Sequence, residues 1–293
     1  NSAWPREDSD FFILSQLEKN DLRPAPATDK RTLIRRATYD LIGLPPTVAE
    51  TEAFLTDKSS NAFSKIVERL LASPHYGEKW GRHWLDVARY ADSNGLDENL
   101  AYVNAFRYRN YVINSLNQDK PYNHFVQEQI AGDLLPLGKN ESDETRHSRR
   151  IATGFLSVGA KMLAEDDGRK MEMDIIDEQL DTLGRAFMGM TLGCARCHDH
   201  KFDPIPTRDY YSLAGIFKST HTMDNHKVVA QWHEVELGSA DLRAKREQVD
   251  REVEKQKQAI ESLKSKSAKS ITAQARSDAA DYLIGAMVKL RKE

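Results

Sequence analysis

Residues 171–200 read MEMDIIDEQLDTLGRAFMGMTLGCARCHDH, and the character of the chain changes near Met190. From Met171 to Met190 the residues follow helical spacing, and Asp174, Asp177, Glu178 and Asp181 fall on one face of that predicted helix. Past Met190 the stretch Leu192-Gly193-Cys194-Ala195-Arg196-Cys197-His198-Asp199-His200 gathers both cysteines of the chain together with two histidines. A helix leading into a short, ligand-rich loop is the pattern that the rest of the chain supports.

Upstream, helix-like segments run from Tyr76 to Tyr90, Tyr102 to Asn117, Tyr122 to Leu134 and Arg149 to Leu156. The first segment, Asp8 to Leu71, alternates helix patterns with turn signals. Asp29 is placed to cap Lys30 to Leu41, Thr47 and Glu50 have capping-box spacing, and Ser73-Pro74 ends the helix Ala62 to Leu71. Strand-like alternation is nearly absent. The predicted fold is mostly α, an irregular helical domain with long ordered loops over residues 1–235.

Residues 236–293 read differently, as a charged helical connector. Between Ser239 and Lys269, Lys, Glu, Gln, Arg and Ser dominate around a thin seam of Leu242, Val249, Val253, Ile260 and Leu263. That spacing fits an amphipathic helix or short coiled coil, with a solvated arm favoured over a partner-specific zipper. The chain opens on Asn1-Ser2-Ala3-Trp4-Pro5 without an initiator Met, and Val288 to Glu293 still follow a helical pattern. Both ends read as cuts in a longer polypeptide.

Composition narrows the function classes. With 42 Lys+Arg against 45 Asp+Glu, the formal net charge of -3 gives no support to nucleic-acid binding by bulk basic charge. No run approaches the ~20 apolar residues of a membrane helix. Two cysteines in 293 residues exclude a disulfide-stapled fold and commit both sulfurs to one segment.

That segment is C-x-x-C-H, the covalent attachment signature of c-type haem. Two thiols three positions apart can each form a thioether with one of the two vinyl groups of a single porphyrin, and His198 can then ligate the iron axially. Three other readings compete. Cys194, Cys197, His198 and His200 could form a zinc site, although four ligands within seven residues is tight for a tetrahedron. The cysteines could be a redox dithiol, but no thioredoxin-like βαβ pattern surrounds them. Both thiols could also be buried and inert.

The sixth iron ligand is open among His83, His124, His200, His221, Met188, Met190 and Met223. His83, between Arg82 and Trp84 in an aromatic-rich helix, is the distal candidate, while Met188 and Met190 read as core packing. Asp199 and His200, with Lys201 and Asp203, are candidates for proton relay or substrate binding beside the iron, weighed against a polar loop fixed by turn chemistry.

Two further groups of residues read as structural. Glu165, Asp166 and Asp167, and the acidic face of the 171–190 helix, suggest a calcium site or a docking surface, with a solvated face preferred. Tyr90, Tyr102, Phe106, Tyr108, Tyr111 and Tyr122, with Arg89, Arg107 and Arg109, suit a sugar cleft or a propionate site as well as they suit a core.

Several separate blocks carry a family likeness. They are Asp40-Leu-Ile-Gly-Leu-Pro-Pro-Thr47, Leu70-Leu-Ala-Ser-Pro-His-Tyr-Gly77, Trp80-Gly-Arg-His-Trp-Leu-Asp-Val-Ala-Arg-Tyr-Ala-Asp92, Phe125-Val-Gln-Glu-Gln-Ile-Ala-Gly-Asp-Leu-Leu-Pro136 and Gly193-Cys-Ala-Arg-Cys-His-Asp-His-Lys-Phe-Asp-Pro204. Over roughly residues 8–220 the chain closely resembles the planctomycete-type cytochrome-associated domain family, long described as of unknown function.

The resemblance implies an exported, periplasmic or otherwise extracytoplasmic bacterial protein. It also implies one haem c attached at Cys194, Cys197 and His198, often with a cytochrome c domain upstream and a second planctomycete-type domain beyond a charged connector. The late position of the motif departs from an ordinary small cytochrome c fold.

The leading expectation is therefore a c-type haem protein that transfers electrons to a redox partner protein or cytochrome domain, with self-association through the C-terminal helix permitted. One alternative is a haem-dependent oxidoreductase acting on a small molecule such as a carbohydrate. The other is a zinc-binding or scaffold module without haem.

Overall fold

The computed structural model describes residues 4–96, 98–138 and 141–291. Local sequence chemistry explains most helix boundaries. Helix α1 spans Asp8–Lys19. Helix α2 (Lys30–Ile42) starts where the Asp29 side chain accepts the Thr32 amide, and α3 (Val48–Thr56) starts at a Thr47–Glu50 capping box. Helix α4 is Ala62–Leu71, and α5 (Pro74–Val87) begins with Ser73 as cap and Pro74 in the first turn, where a missing N–H does no harm. Ile34, Phe54, Ala62, Ile66 and Leu70 close the core between α2, α3 and α4.

A larger core forms around α5, α6 (Ala105–Asn117), α7 (Tyr122–Ala131) and α8 (Asp143–Ala152), the last continuing into a 3-10 turn at Thr153–Leu156. Tyr108, Tyr111, Val112, Phe125 and Phe155 are buried there, with Trp84 packed against them. The Trp84 indole N–H reaches both the Tyr108 hydroxyl (3.0 Å) and Gln129 Oε1 (2.9 Å), so the polar tips of this core satisfy one another. Tyr108 and Tyr111 of the aromatic middle are thus core residues, while Phe106 and Tyr122 stay exposed.

Beyond this core come α9 (Gly168–Leu183), a π-helical turn at Gly184–Met188, a 3-10 turn at Leu192–Arg196 and α10 (Thr207–Lys218). The predicted single helix from Met171 to Met190 therefore changes winding at its end. A side chain at Gly184 would lie 2.6 Å from Leu192 Cγ and 2.7 Å from the Met190 carbonyl, so only glycine lets the chain fold back so closely. Gly189, at φ 65°, then turns the chain out of the helix.

A short antiparallel pair, β1 (Met223–Asn225) with β2 (Gln231–Trp232), adds the strand structure that the sequence did not announce. Five strand residues are too few to leave an alternating pattern.

Two compact units divide the chain, the first ending at His233 and the second starting at Glu234. The second consists chiefly of α11 (Ala240–Leu290), capped by the Ser239 side chain, with Leu242, Val249, Val253, Ile260 and Leu263 all exposed along it. Among the described residues no helix is long and apolar enough to cross a membrane.

Candidate functional site

The Leu192–Arg196 turn carries the motif because its apolar and polar residues part to opposite sides. Leu192 and Ala195 are buried, whereas Cys194, Cys197 and His198 are exposed, and both thiols are free. The reading of both thiols as buried is therefore overturned. Ala195 belongs to the core that Ile176, Leu180, Tyr210, Ala214 and Phe217 form between α9 and α10, so the turn sits on those two helices.

Arg196, the second residue between the cysteines, fastens the turn. Its guanidinium reaches Asp174 Oδ1 at 2.8 Å and Asp177 Oδ2 at 3.3 Å, both on α9. The Tyr210 hydroxyl donates to Asp177 Oδ1 at 2.5 Å, and that of Tyr211 donates to the Arg196 carbonyl at 3.1 Å. Burial first, and the Asp177 carboxylate second, push the Tyr210 phenol up, which keeps it a protonated donor.

The carboxylates of α9 are thus half-buried and each paired with a cation. Asp181 pairs with Arg185 at 2.6 Å, and Glu178 meets Lys161 at 2.5 Å and Arg89 as well. Upstream, Asp167 caps α9 by accepting the Arg169 and Lys170 amides, and Glu165 pairs with Lys170.

The two motif histidines have opposite surroundings. His198 Nδ1 lies 2.7 Å from the Asp199 carbonyl, which can only accept, so Nδ1 is the donor, and in the neutral ring Nε2 carries the lone pair. The His200 side chain is only 6% exposed. Its Nδ1 accepts the Asp203 amide at 2.8 Å and that of Phe202 at 3.3 Å, which leaves Nε2–H to donate to Thr191 Oγ1 at 2.9 Å. Asp199 accepts the Thr207 amide at 2.8 Å and so holds the start of α10, where Pro206 offers no capping side chain.

Asp199 and His200 are therefore both engaged in holding the loop's backbone. A four-ligand zinc site that includes His200 would have to break these bonds.

The remaining predicted ligands lie apart. His83 is exposed on α5 with its ring 5.5 Å from Trp80, and no described contact joins it to His198. His124 is exposed on α7, Met223 is buried with Leu163 and Met171, and Met190 is half-buried. Met188 is 45% exposed, which corrects its reading as core packing: the π turn directs Phe187 inward instead, onto Trp84 and Phe155. Phe202, four residues past His198, is 84% exposed beside the turn.

Sequence reasoning missed the Arg196 clamp, whose partners Asp174 and Asp177 lie about twenty residues upstream on another element; two acidic positions one turn apart were the only trace of it.

Fold and site together define a mostly helical domain that presents an exposed Cys-x-x-Cys-His turn on two helices. The chain belongs to the family described as "Protein of unknown function (DUF1549)", or PSCyt2, which it matches over residues 9–222. No curated protein and no solved structure matches it.

Proposed function

We propose that this domain carries one c-type haem and passes electrons in an extracytoplasmic compartment. Cys194 and Cys197 serve as thioether anchors and His198 as the proximal iron ligand. The observation that carries this reading is the state of His198. Its Nδ1 donates to a backbone carbonyl, which leaves Nε2 as the ligating nitrogen of the neutral ring, on an exposed turn shared with two free thiols. A ligating imidazole needs this division of labour, because the hydrogen bond at one nitrogen fixes the tautomer and raises the basicity of the other.

The chemistry of the donor set fits the group. Each thiol would add across a vinyl group, its sulfur bonding to one carbon and its hydrogen passing to the other, so no oxidant would be required. The exposed apolar side chains of Met188 and Phe202 suit the flank of a tetrapyrrole. When bound, haem supplies reversible one-electron chemistry. The protein's part is to hold the turn through Arg196, Asp174 and Asp177, and to keep His198 in one tautomer. The partner on this reading is a redox protein or cytochrome domain, and α11 offers a route to self-association.

The test is expression in a host equipped for thioether ligation, followed by a pyridine haemochrome spectrum and the mass of the denatured chain. One covalent haem is expected, lost when Cys194 and Cys197 are both replaced by Ala. A colourless wild-type protein, or covalent haem in the double variant, would sink the assignment. The resting spin state then separates electron transfer, which suits six-coordinate low-spin iron, from oxidoreductase chemistry on a small substrate at an open position.

A further inference from the structure

A second set of ligand-type side chains lies outside the motif. His221, Asp224 and His233 each offer one ligand atom, and these atoms lie within 4.8 Å of one another. His221 Nε2 is 3.3 Å and His233 Nδ1 2.7 Å from the same oxygen, Oδ1 of Asp224. The two imidazole rings meet edge to face at 4.3 Å.

The hairpin builds this arrangement. Met223 pairs with Trp232 and Asn225 with Gln231, so β1 carries one residue more than β2, and the extra residue is Asp224. A bulge of this kind leaves one residue unpaired and re-aims its side chain. Met223 points inward and is buried, and Trp232 packs on Tyr102, so the hairpin is seated on the domain. The His233 amide donates to the Thr222 carbonyl at 2.9 Å, which keeps His233 beside the Asp224 bulge.

We infer that His221, Asp224 and His233 form a binding site for a divalent transition cation of the zinc class. Two imidazoles with one carboxylate are a borderline donor set that suits Zn(II) and its neighbours; Ca(II) and Mg(II) take oxygen ligands. Ligands at ~2.0–2.1 Å in a tetrahedron stand about 3.3–3.4 Å apart. The His221–Asp224 separation already has that value. The shorter His233–Asp224 contact is a hydrogen bond, and exchanging its proton for a cation would lengthen it by a fraction of an ångström.

Both histidines could have bonded different oxygens of Asp224; instead they converge on one, leaving three ligand atoms around a common point. All three side chains are exposed, which leaves the remaining coordination positions to water, the pattern of an open three-ligand site.

The experiment titrates ZnCl2 into the chain as it stands, into the Cys194→Ala/Cys197→Ala variant, and into that variant with His221→Ala, Asp224→Asn or His233→Ala added. Co(II) absorption reports ligand type and geometry. One zinc equivalent is expected to survive removal of both thiols, with a Co(II) spectrum free of thiolate charge transfer. Each further substitution should weaken binding at least tenfold.

Loss of all zinc binding with the two cysteines would overturn the inference, as would unchanged affinity in the three added variants. The three residues lie on the surface, so unchanged circular dichroism is the check that a loss is not unfolding. The haem reading concerns other residues and stands or falls separately.

Discussion

Helix α9 presents carboxylates to two very different partners. On one side Glu178, 15% exposed, meets the fully enclosed ammonium of Lys161 and the guanidinium of Arg89. On another, Asp174 and Asp177 meet Arg196, and all three side chains keep more than a quarter of their surface in water. The first cluster closes the frame, since Lys161 also donates to the Val158 carbonyl at 2.9 Å, in the segment that packs on the central core. The second ties a surface turn to that frame. Charge pairs of similar length thus differ in what their loss leaves behind: an unpaired charge in a low dielectric in one case, a solvated one in the other.

The largest expected effect follows from the enclosed pair. Burial pulls the Lys161 ammonium below its ordinary range and Glu178 opposes that pull. Glu178→Ala removes the opposition while Lys161 stays inside, and should lower stability by about 3–5 kcal/mol in chemical denaturation. Adding Lys161→Met to Glu178→Leu removes the stranded charge as well and should recover much of that loss. If the double variant is no more stable than Glu178→Ala, the two side chains are not coupled and the contrast with Arg196 disappears.

Arg196→Ala is the matching change on the open side. Partial exposure screens its pairs, so global stability should fall by only about 1 kcal/mol. The turn itself should loosen far more. Amide exchange is expected to quicken over residues 192–200 while α5 and α6 keep their protection, and covalent haem loading should drop if the turn's shape guides attachment. Arg196→Lys should restore only part of this, because one ammonium cannot reach two carboxylates as a planar fork does. Uniform loss of protection across the domain would place Arg196 in the frame with Glu178.

This contrast also marks how far the sequence could be read. Helix starts at Asp29 and Thr47 were legible because the cap and its amide lie within three residues of each other, whereas Ser73-Pro74 reads as the end of one helix and proves to open the next as well. The motif was legible for the same reason, its chemistry resting on residue types at short spacing. Asp174, Asp177, Glu178 and Asp181 looked alike because their helical spacing is alike; Asp181 finds its cation one turn on, at Arg185, but those of the other three sit elsewhere in the chain and reach α9 only by folding.

His200 was similarly ambiguous. Nothing in Cys-His-Asp-His distinguishes a free imidazole from one whose two nitrogens close a loop, and only the backbone path from Thr191 to Ile205 decides it. Met188 was misread because the helix leaves its α winding at Gly184, where the face assigned to each residue shifts.

The smallest effect belongs to a carboxylate with no enclosed partner at all, and it sets the lower end of the scale. Glu50 accepts the Thr47 amide at 2.7 Å and the Thr47 hydroxyl at 2.9 Å, and it also meets Arg69. The Thr47 backbone bond, more than Arg69, holds its carboxyl below the ordinary value of 4.5. A carboxyl lowered on folding stabilises the fold fully above its unfolded pKa, and the contribution is lost as pH falls through the folded one. Glu50→Ala should therefore cost about 0.5–1 kcal/mol at pH 7, with solvent screening of the Arg69 contact limiting the loss. The gap between variant and wild type should narrow as the pH drops below about 4, where the carboxylate begins to take up its proton in both states. Denaturation midpoints measured from pH 7 to pH 3 check this. A gap that widens on acidification would mean that Glu50 acts through something other than its charge, and would remove it from the series that runs from Glu178 through Asp174 and Asp177.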